Sequence, residues 1–151
     1  MDKPWYVYVL YNPRSPEKIY TGCTPRPKHR LQAHAGKRKG GARTTARWKG
    51  NVAMSMLIGP LETFNNVKGG SRARMLESRF KKTRIARKSG ITGRCLALGV
   101  VLEKYSWILS PQTRVALAMS KEEFDRRRGT AAPLSAVTEG MFLYNQHFPI
   151  E

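Results

Sequence analysis

Residues 5–11 (WYVYVLY) are aromatic or aliphatic, with β-branched Val7 and Val9, and they predict a strand. Residues 12–16 (NPRSP) form a turn cluster, and residues 18–22 (KIYTG) predict a second, short strand, so residues 5–22 read as a hairpin. Side chains alternate faces along a strand, which puts Tyr6, Tyr8 and Leu10 on one face with Tyr20 across from it. Pro25 and Pro27 suit the start of a short helix over residues 27–36. Arg30 and His34 are four apart there and share a face. Residues 36–50 (GKRKGGARTTARWKG) are basic and glycine-rich, and predict a mobile or phosphate-contacting loop. Residues 52–58 predict a third strand that Gly59-Pro60 ends.

Further along, residues 71–88 predict a helix with Ser71 as N-cap and Ala73, Leu76, Phe80 and Arg84 at helical spacing. Glu77 lies at the edge of that stripe, four residues before Lys81. Residues 95–102 (CLALGVVL) are an unbroken apolar run, for which strand and helix both stay open. Residues 113–119 look extended, residues 121–128 look like a surface helix, and Met141, Phe142, Leu143 and Phe148 are available to dock on the body. No internal repeat occurs. The expected fold is α/β: a small, mainly antiparallel, three-stranded sheet flanked by helices, with additional helices toward the C-terminus. Residues 1–92 are expected to be the core and residues 93–151 an extension packed on it.

At 151 residues and 40% hydrophobic, the chain fits one domain with a real core. It has no run of about 18 apolar residues, so no membrane span is expected. Its first residues lack the apolar stretch of a secretory leader. Cys23 and Cys95 stand in unrelated contexts and cannot make a four-ligand zinc site, which suits a reducing intracellular compartment. Charge changes the picture most. There are 28 Lys and Arg against 10 Asp and Glu, a formal charge of +18. The excess is +10 in residues 1–50, +8 in residues 51–100 and zero in residues 101–151. Such a surface attracts polyanions, because phosphate contacts release condensed counterions, and nucleic acid is the expected partner.

Alone, each chemically able residue has an ordinary explanation. Tyr8 and Tyr20 suit packing, Arg30 and His34 a solvated helix face, and Glu77 an i,i+4 pair with Lys81. Their order is more specific. Tyr6-Val7-Tyr8, a hairpin turn, then Tyr20-Thr21-Gly22 resembles the signature of the GIY-YIG nuclease superfamily, departing at Tyr6 (Gly in the signature) and Thr21 (Ile). Arg30, ten residues after Tyr20, matches the family's arginine; His34, four further on, matches its His or Tyr; and Glu77 matches its helix-borne glutamate. Gly41-Ala42-Arg43-Thr44-Thr45 is similar to a stretch of the Slx-type branch, as are the leucine-rich segment 96–102, Trp107 and residues 111–119. The resemblance spans about residues 5–120. Cys23 stands where some members carry lysine and Ser89 where some carry asparagine. The branch's C-terminal zinc-binding domain is expected to be missing.

The resemblance implies a metal-dependent, structure-selective endonuclease acting on branched DNA, with Tyr8, Tyr20, Arg30, His34 and Glu77 as catalytic residues. Glu77 would ligate one Mg²⁺ or Mn²⁺, and Arg30 would brace the phosphate oxygens. Tyr8 or His34 would take the proton of the attacking water, and Tyr20 would donate to a phosphate oxygen. A cationic pocket would draw the Tyr8 pKa down from its usual value near 10. Arg26, Lys28, Lys37, Arg38, Lys39, Arg43 and Arg47 are expected to track the DNA backbone, with Gly40 and Gly41 letting the main chain approach phosphates. Cutting both strands of a four-way junction needs two sites, which points to a homodimer. A sequence-reading restriction or homing enzyme, a non-catalytic DNA-binding protein on the same fold, and a ribosomal-type structural protein are the competing readings.

Overall fold

A computed structural model describes residues 3–83, 90–129 and 133–150. Strand β1 (Trp5–Asn12) pairs antiparallel with β2 (Ser15–Thr24) through a two-residue loop, Pro13-Arg14, with Tyr8 opposite Gly22. The Asn12 side-chain oxygen accepts the Arg14 amide at 2.9 Å, the self-bonding that makes Asn a turn former. Helix α1 (Pro27–His34) starts with proline at its first position, where no amide is missed. A single helical turn, α2 (Arg43–Ala46), precedes β3 (Ala53–Leu61). Then follow α3 (Gly69–Lys82), α4 (Gly90–Lys104), β4 (Arg114–Leu117), α5 (Lys121–Arg128), α6 (Ala136–Glu139) and β5 (Phe142–Leu143).

The sheet order is β2-β1-β3-β4-β5, antiparallel except for the parallel β4–β5 pair. The α/β class and the mainly antiparallel sheet are as expected, but among the described residues the sheet has five strands and not three. The two additions come from the last third of the chain, where β4 and β5 are four and two residues long and too short to show an alternating pattern. The residues 95–102 lie within helix α4. It is buried almost all round, from Cys95 through Gly99 and at Val101 and Leu102, which is why its sequence shows no polar face.

Three local expectations fail. Gly59-Pro60 does not end the third strand: β3 continues to Leu61. The β1 register jumps between Trp5↔Leu61 and Val7↔Ile58, so an extra residue is bulged at this point and the proline's missing amide leaves the ladder intact. Ser71 is not the cap of α3. The helix begins two residues earlier, with Lys68 as an N-cap that makes no side-chain hydrogen bond. Leu143 does not dock and is 46% exposed, whereas Phe142 is buried. The expected helical positions 84–88, including Arg84, lie outside the described residues, as does Ser89.

Two apolar clusters sandwich the sheet. On one face Val7, Val9, Met56 and Ile58 pack against Leu76 and Phe80 of α3, Leu98 and Val101 of α4, and Phe124 of α5. On the other, Tyr8, Leu10 and Met54 pack against Leu31 of α1 and Trp48, with Phe148 and Ile150 added from the C-terminal segment. That segment is strapped down by main-chain bonds from Asn145 N–H to Met119 C=O and from Gln146 N–H to Leu117 C=O, and by the Gln32 amide donating to Ile150 C=O at 2.7 Å. Among the described residues no helix is long and apolar enough to cross a membrane.

Arg72 of α3 is buried, and no carboxylate pairs with it among the described residues. Its guanidinium donates to the carbonyls of Phe64, Val67, Trp107, Ile108 and Leu109, tying the β3–α3 loop to the segment before β4. A lysine offers three donors from one point and cannot span this ring of acceptors. Arg72→Lys is expected to lose about 3 kcal/mol of stability, read as a lowered urea midpoint. An unchanged midpoint would mean that the carbonyls find water instead.

Candidate active site

The hairpin and α1 bring the tyrosines and the histidine together. Tyr8 Oη lies 2.8 Å from His34 Nε2, and His34 Nδ1 lies 2.7 Å from Thr45 Oγ1. The Thr45 hydroxyl in turn donates to the Ala42 carbonyl at 3.1 Å. A hydroxyl has one proton, so Thr45 must accept from His34, and Nδ1 carries the hydrogen. In the neutral imidazole Nε2 is then an acceptor, and the Tyr8 phenol donates to it. The ring of Tyr20 closes the cluster, with its centroid 4.9 Å from that of His34 and 6.3 Å from that of Tyr8.

Two glycines make this packing possible. A Cβ on Gly22 would stand 2.6 Å from Tyr8 Oη and 3.2 Å from Tyr20 Cε1, so no larger residue fits between the rings. A Cβ on Gly41 would stand 2.6 Å from the Ala33 carbonyl oxygen. Gly41 thus lets the chain turn back tightly over α1 and deliver Thr45, a different use from the phosphate approach expected of it. The stretch 36–50 is correspondingly structured: α2 forms within it, and Thr45 and Trp48 are buried. Thr45 is the residue of this cluster that sequence reasoning missed. It was visible only as part of the Gly-Ala-basic-Thr stretch, with no spacing to link it to His34.

Arg30 points from α1 toward the same cluster and donates to the Gly40 carbonyl. Its charge acts on both neighbours. Burial, helped by the Arg30 charge, holds the His34 imidazole down at about 4, so it is neutral at pH 7. Burial pushes the Tyr8 phenol up to about 12, and the Arg30 contact opposes this without offsetting it. The expected lowering of the Tyr8 pKa is therefore reversed, because desolvation of the phenolate outweighs one nearby cation.

Glu77 reaches the site from α3, across the edge strand β2, beside Cys23. Its carboxylate pairs with Lys81 Nζ at 2.6 Å. The Cys23 thiol is pushed up to about 12 by burial and then by Glu77, so it stays protonated and supplies no thiolate. No group of three or more His, Cys, Asp or Glu side chains gathers among the described residues. One half-buried carboxylate suits a hydrated hard cation that keeps most of its waters, and does not suit a metal needing a full protein ligand set. Arg26 at the N-cap of α1, Lys28 on it, and Lys37, Arg38, Lys39, Arg43 and Arg47 in the stretch after it are all exposed. Residues 18–61 contain no acidic side chain to offset them.

A family model described as the GIY-YIG catalytic domain matches residues 4–89, more than half of the chain. The chain belongs to the GIY-YIG family. Members of this family are nucleases that typically use divalent metal ions, and a nuclease domain suggests DNA as substrate. The match covers every strand and helix that carries Tyr8, Tyr20, Arg30, His34, Thr45 and Glu77. No curated protein matches the chain.

The folded chain holds His34 neutral down to about pH 4, whereas an unfolded chain protonates it near pH 6.5. Its contribution to stability is therefore complete above pH 6.5 and is lost as pH falls toward 4, by on the order of 3 kcal/mol. In the DNA-free protein the His34 ring carbon signal in a proton–carbon NMR titration is expected to move with a midpoint near pH 4. A midpoint near 6.5 would mean that the Thr45–His34–Tyr8 chain is open in solution.

Proposed function

We propose that this GIY-YIG protein is a structure-selective DNA endonuclease that hydrolyses phosphodiester bonds in branched DNA. The observation that carries the reading is the hydrogen-bond chain from Tyr8 through His34 to Thr45, set beside Tyr20 and Arg30 with Glu77 at the strand edge. Tyr8 is the proton acceptor for the attacking water, and it hands its own phenolic proton to His34 Nε2. Thr45 keeps that nitrogen free by fixing the Nδ1–H tautomer. Arg30 supplies a planar, permanent charge for the non-bridging phosphate oxygens. Tyr20, half-buried next to His34, donates to one of them.

Glu77 would hold one Mg²⁺ or Mn²⁺, which supplies Lewis-acid stabilisation of the phosphate and leaving oxygen when bound. Lys81, now paired with Glu77, has to release it for the ion to bind. The exposed cations on α1 and the stretch after it contact the backbone, which positions DNA without reading bases and suits recognition by shape. The likeness of Gly41–Thr45 to the Slx-type branch supports the same choice. We read residues 1–92 as the nuclease core and residues 93–151 as an extension packed on it, with β4 and β5 lengthening the core's sheet. Cutting opposite strands of a junction calls for two copies of the chain.

Cleavage of end-labelled four-way junction, 5′-flap and plain duplex DNA with Mg²⁺ or Mn²⁺ tests this. Branched substrates are expected to be cut in preference to duplex. Glu77→Gln should lower the rate by about a hundredfold or more while binding persists. Tight binding without cutting, by either protein and with either metal, would overturn the nuclease reading.

A further inference from the structure

Arg94 is a half-buried cation outside the site. It lies one turn into α4, and its Nε donates to Thr21 Oγ1 at 3.1 Å. Its guanidinium carbon sits 5.6 Å from the centroid of the Phe80 ring, one turn beyond Glu77 on α3. Among the described residues no carboxylate pairs with Arg94, and its two terminal nitrogens make no hydrogen bond. Arg72, by contrast, directs all three guanidinium nitrogens to carbonyls. Burial works against the charge of Arg94, yet an arginine cannot shed its proton. Neither terminal nitrogen is a buried unpartnered atom, so both donors stay open to solvent and can take up an anion in a charge-assisted, two-pronged contact.

Its place says which anion. β2 is an edge strand, and Tyr20 and Thr21 are successive residues whose side chains leave opposite faces. Tyr20 faces Tyr8, His34 and α1, while Thr21 faces α4 and Arg94. A DNA strand passing over this edge would have the Tyr20 side on one hand and the Arg94 side on the other. Thr21 also stands where the family signature has isoleucine, which could accept no hydrogen bond. The departure at Thr21 and the cation at Arg94 are thus one local arrangement.

We propose that Arg94, oriented by Thr21, binds a backbone phosphate flanking the one cut, on the face of β2 opposite Tyr20. The identity of the ligand as DNA rests on the nuclease reading. The test is equilibrium binding of a labelled four-way junction in EDTA, across a salt series, with wild type, Arg94→Gln, Arg94→Lys and Thr21→Val. Arg94→Gln is expected to weaken binding about tenfold and to flatten the slope of log K against log salt by about one, which a purely structural loss would not do. Arg94→Lys should keep the slope. Thr21→Val should keep the slope and lose about threefold in affinity as the guanidinium loses its anchor. Wild-type affinity and slope in folded Arg94→Gln would overturn the proposal. If Arg94→Gln does not fold, wild-type affinity in Thr21→Val would do so. Because the readout is binding, a wild type that never cuts but shows the Arg94 slope change would sink the nuclease reading alone. A wild type that cuts, with Arg94→Gln binding normally, would sink this proposal alone.

Discussion

The contact on which the site's geometry depends is the buried hydrogen bond between the Tyr8 phenol and the His34 imidazole. It joins the middle of β1 to the last turn of α1, and through Thr45 it reaches the stretch that folds back over α1. Neither partner is replaceable by a generic polar group. The phenol needs an acceptor because it is 2% exposed, and the imidazole can accept at Nε2 only because Thr45 takes the Nδ1 hydrogen. Gly22 and Gly41 are the spatial terms of the same arrangement. One leaves the gap in which the two tyrosine rings meet, and the other brings Thr45 within reach.

Charge in this protein is arranged by where the donors end. Arg72 is enclosed by carbonyls and serves the fold. Arg30 spends part of its fork on the Gly40 carbonyl and keeps its charge near Tyr8 and His34. Arg94 spends one nitrogen on Thr21 and leaves two open. The surface cations of α1 and the following stretch have no carboxylate in their part of the chain. Glu77 is the exception, a lone acid in basic surroundings whose i,i+4 partner Lys81 screens it. That pairing was the ordinary explanation for Glu77 in the sequence, and it is present. It does not exclude a metal role, because an i,i+4 pair that solvent still reaches contributes only about 0.5 kcal/mol and a divalent ion can displace it.

Local pattern made much of this legible. The hairpin, the proline-started α1 and the helix at residues 121–128 appear at or near their expected bounds, since turn chemistry and helical spacing act over a few residues. Tyr8, Tyr20, His34 and Arg30 do meet, as their order and spacing suggested. What escaped depends on contacts between distant segments. β4 and β5 are strands only because β3 offers an open edge. β3 runs past Pro60 only because a bulge absorbs the proline. The apolar run 95–102 needed neighbours on all sides to become helix α4. Thr45 and Arg94 carry no spacing rule at all, and each is tied to the site through a residue brought near by folding.

The direction of the Tyr8 shift has a consequence for the proposed chemistry. A phenol pushed up to about 12 beside an imidazole held down at about 4 places the resting proton on Tyr8 and makes its transfer to His34 uphill. A standing tyrosinate at neutral pH is therefore not the base. Nor is His34 a free one, since its only acceptor nitrogen is already occupied by Tyr8. A route through this pair works if Tyr8 gives its proton to Nε2 in the same event in which its oxygen takes one from water. Charge then never rests on the buried phenol, and the Nδ1–H bond to Thr45 steadies the imidazolium as it forms. The burial that makes Tyr8 a poor base by equilibrium is what keeps the phenol and the imidazole aligned for that exchange.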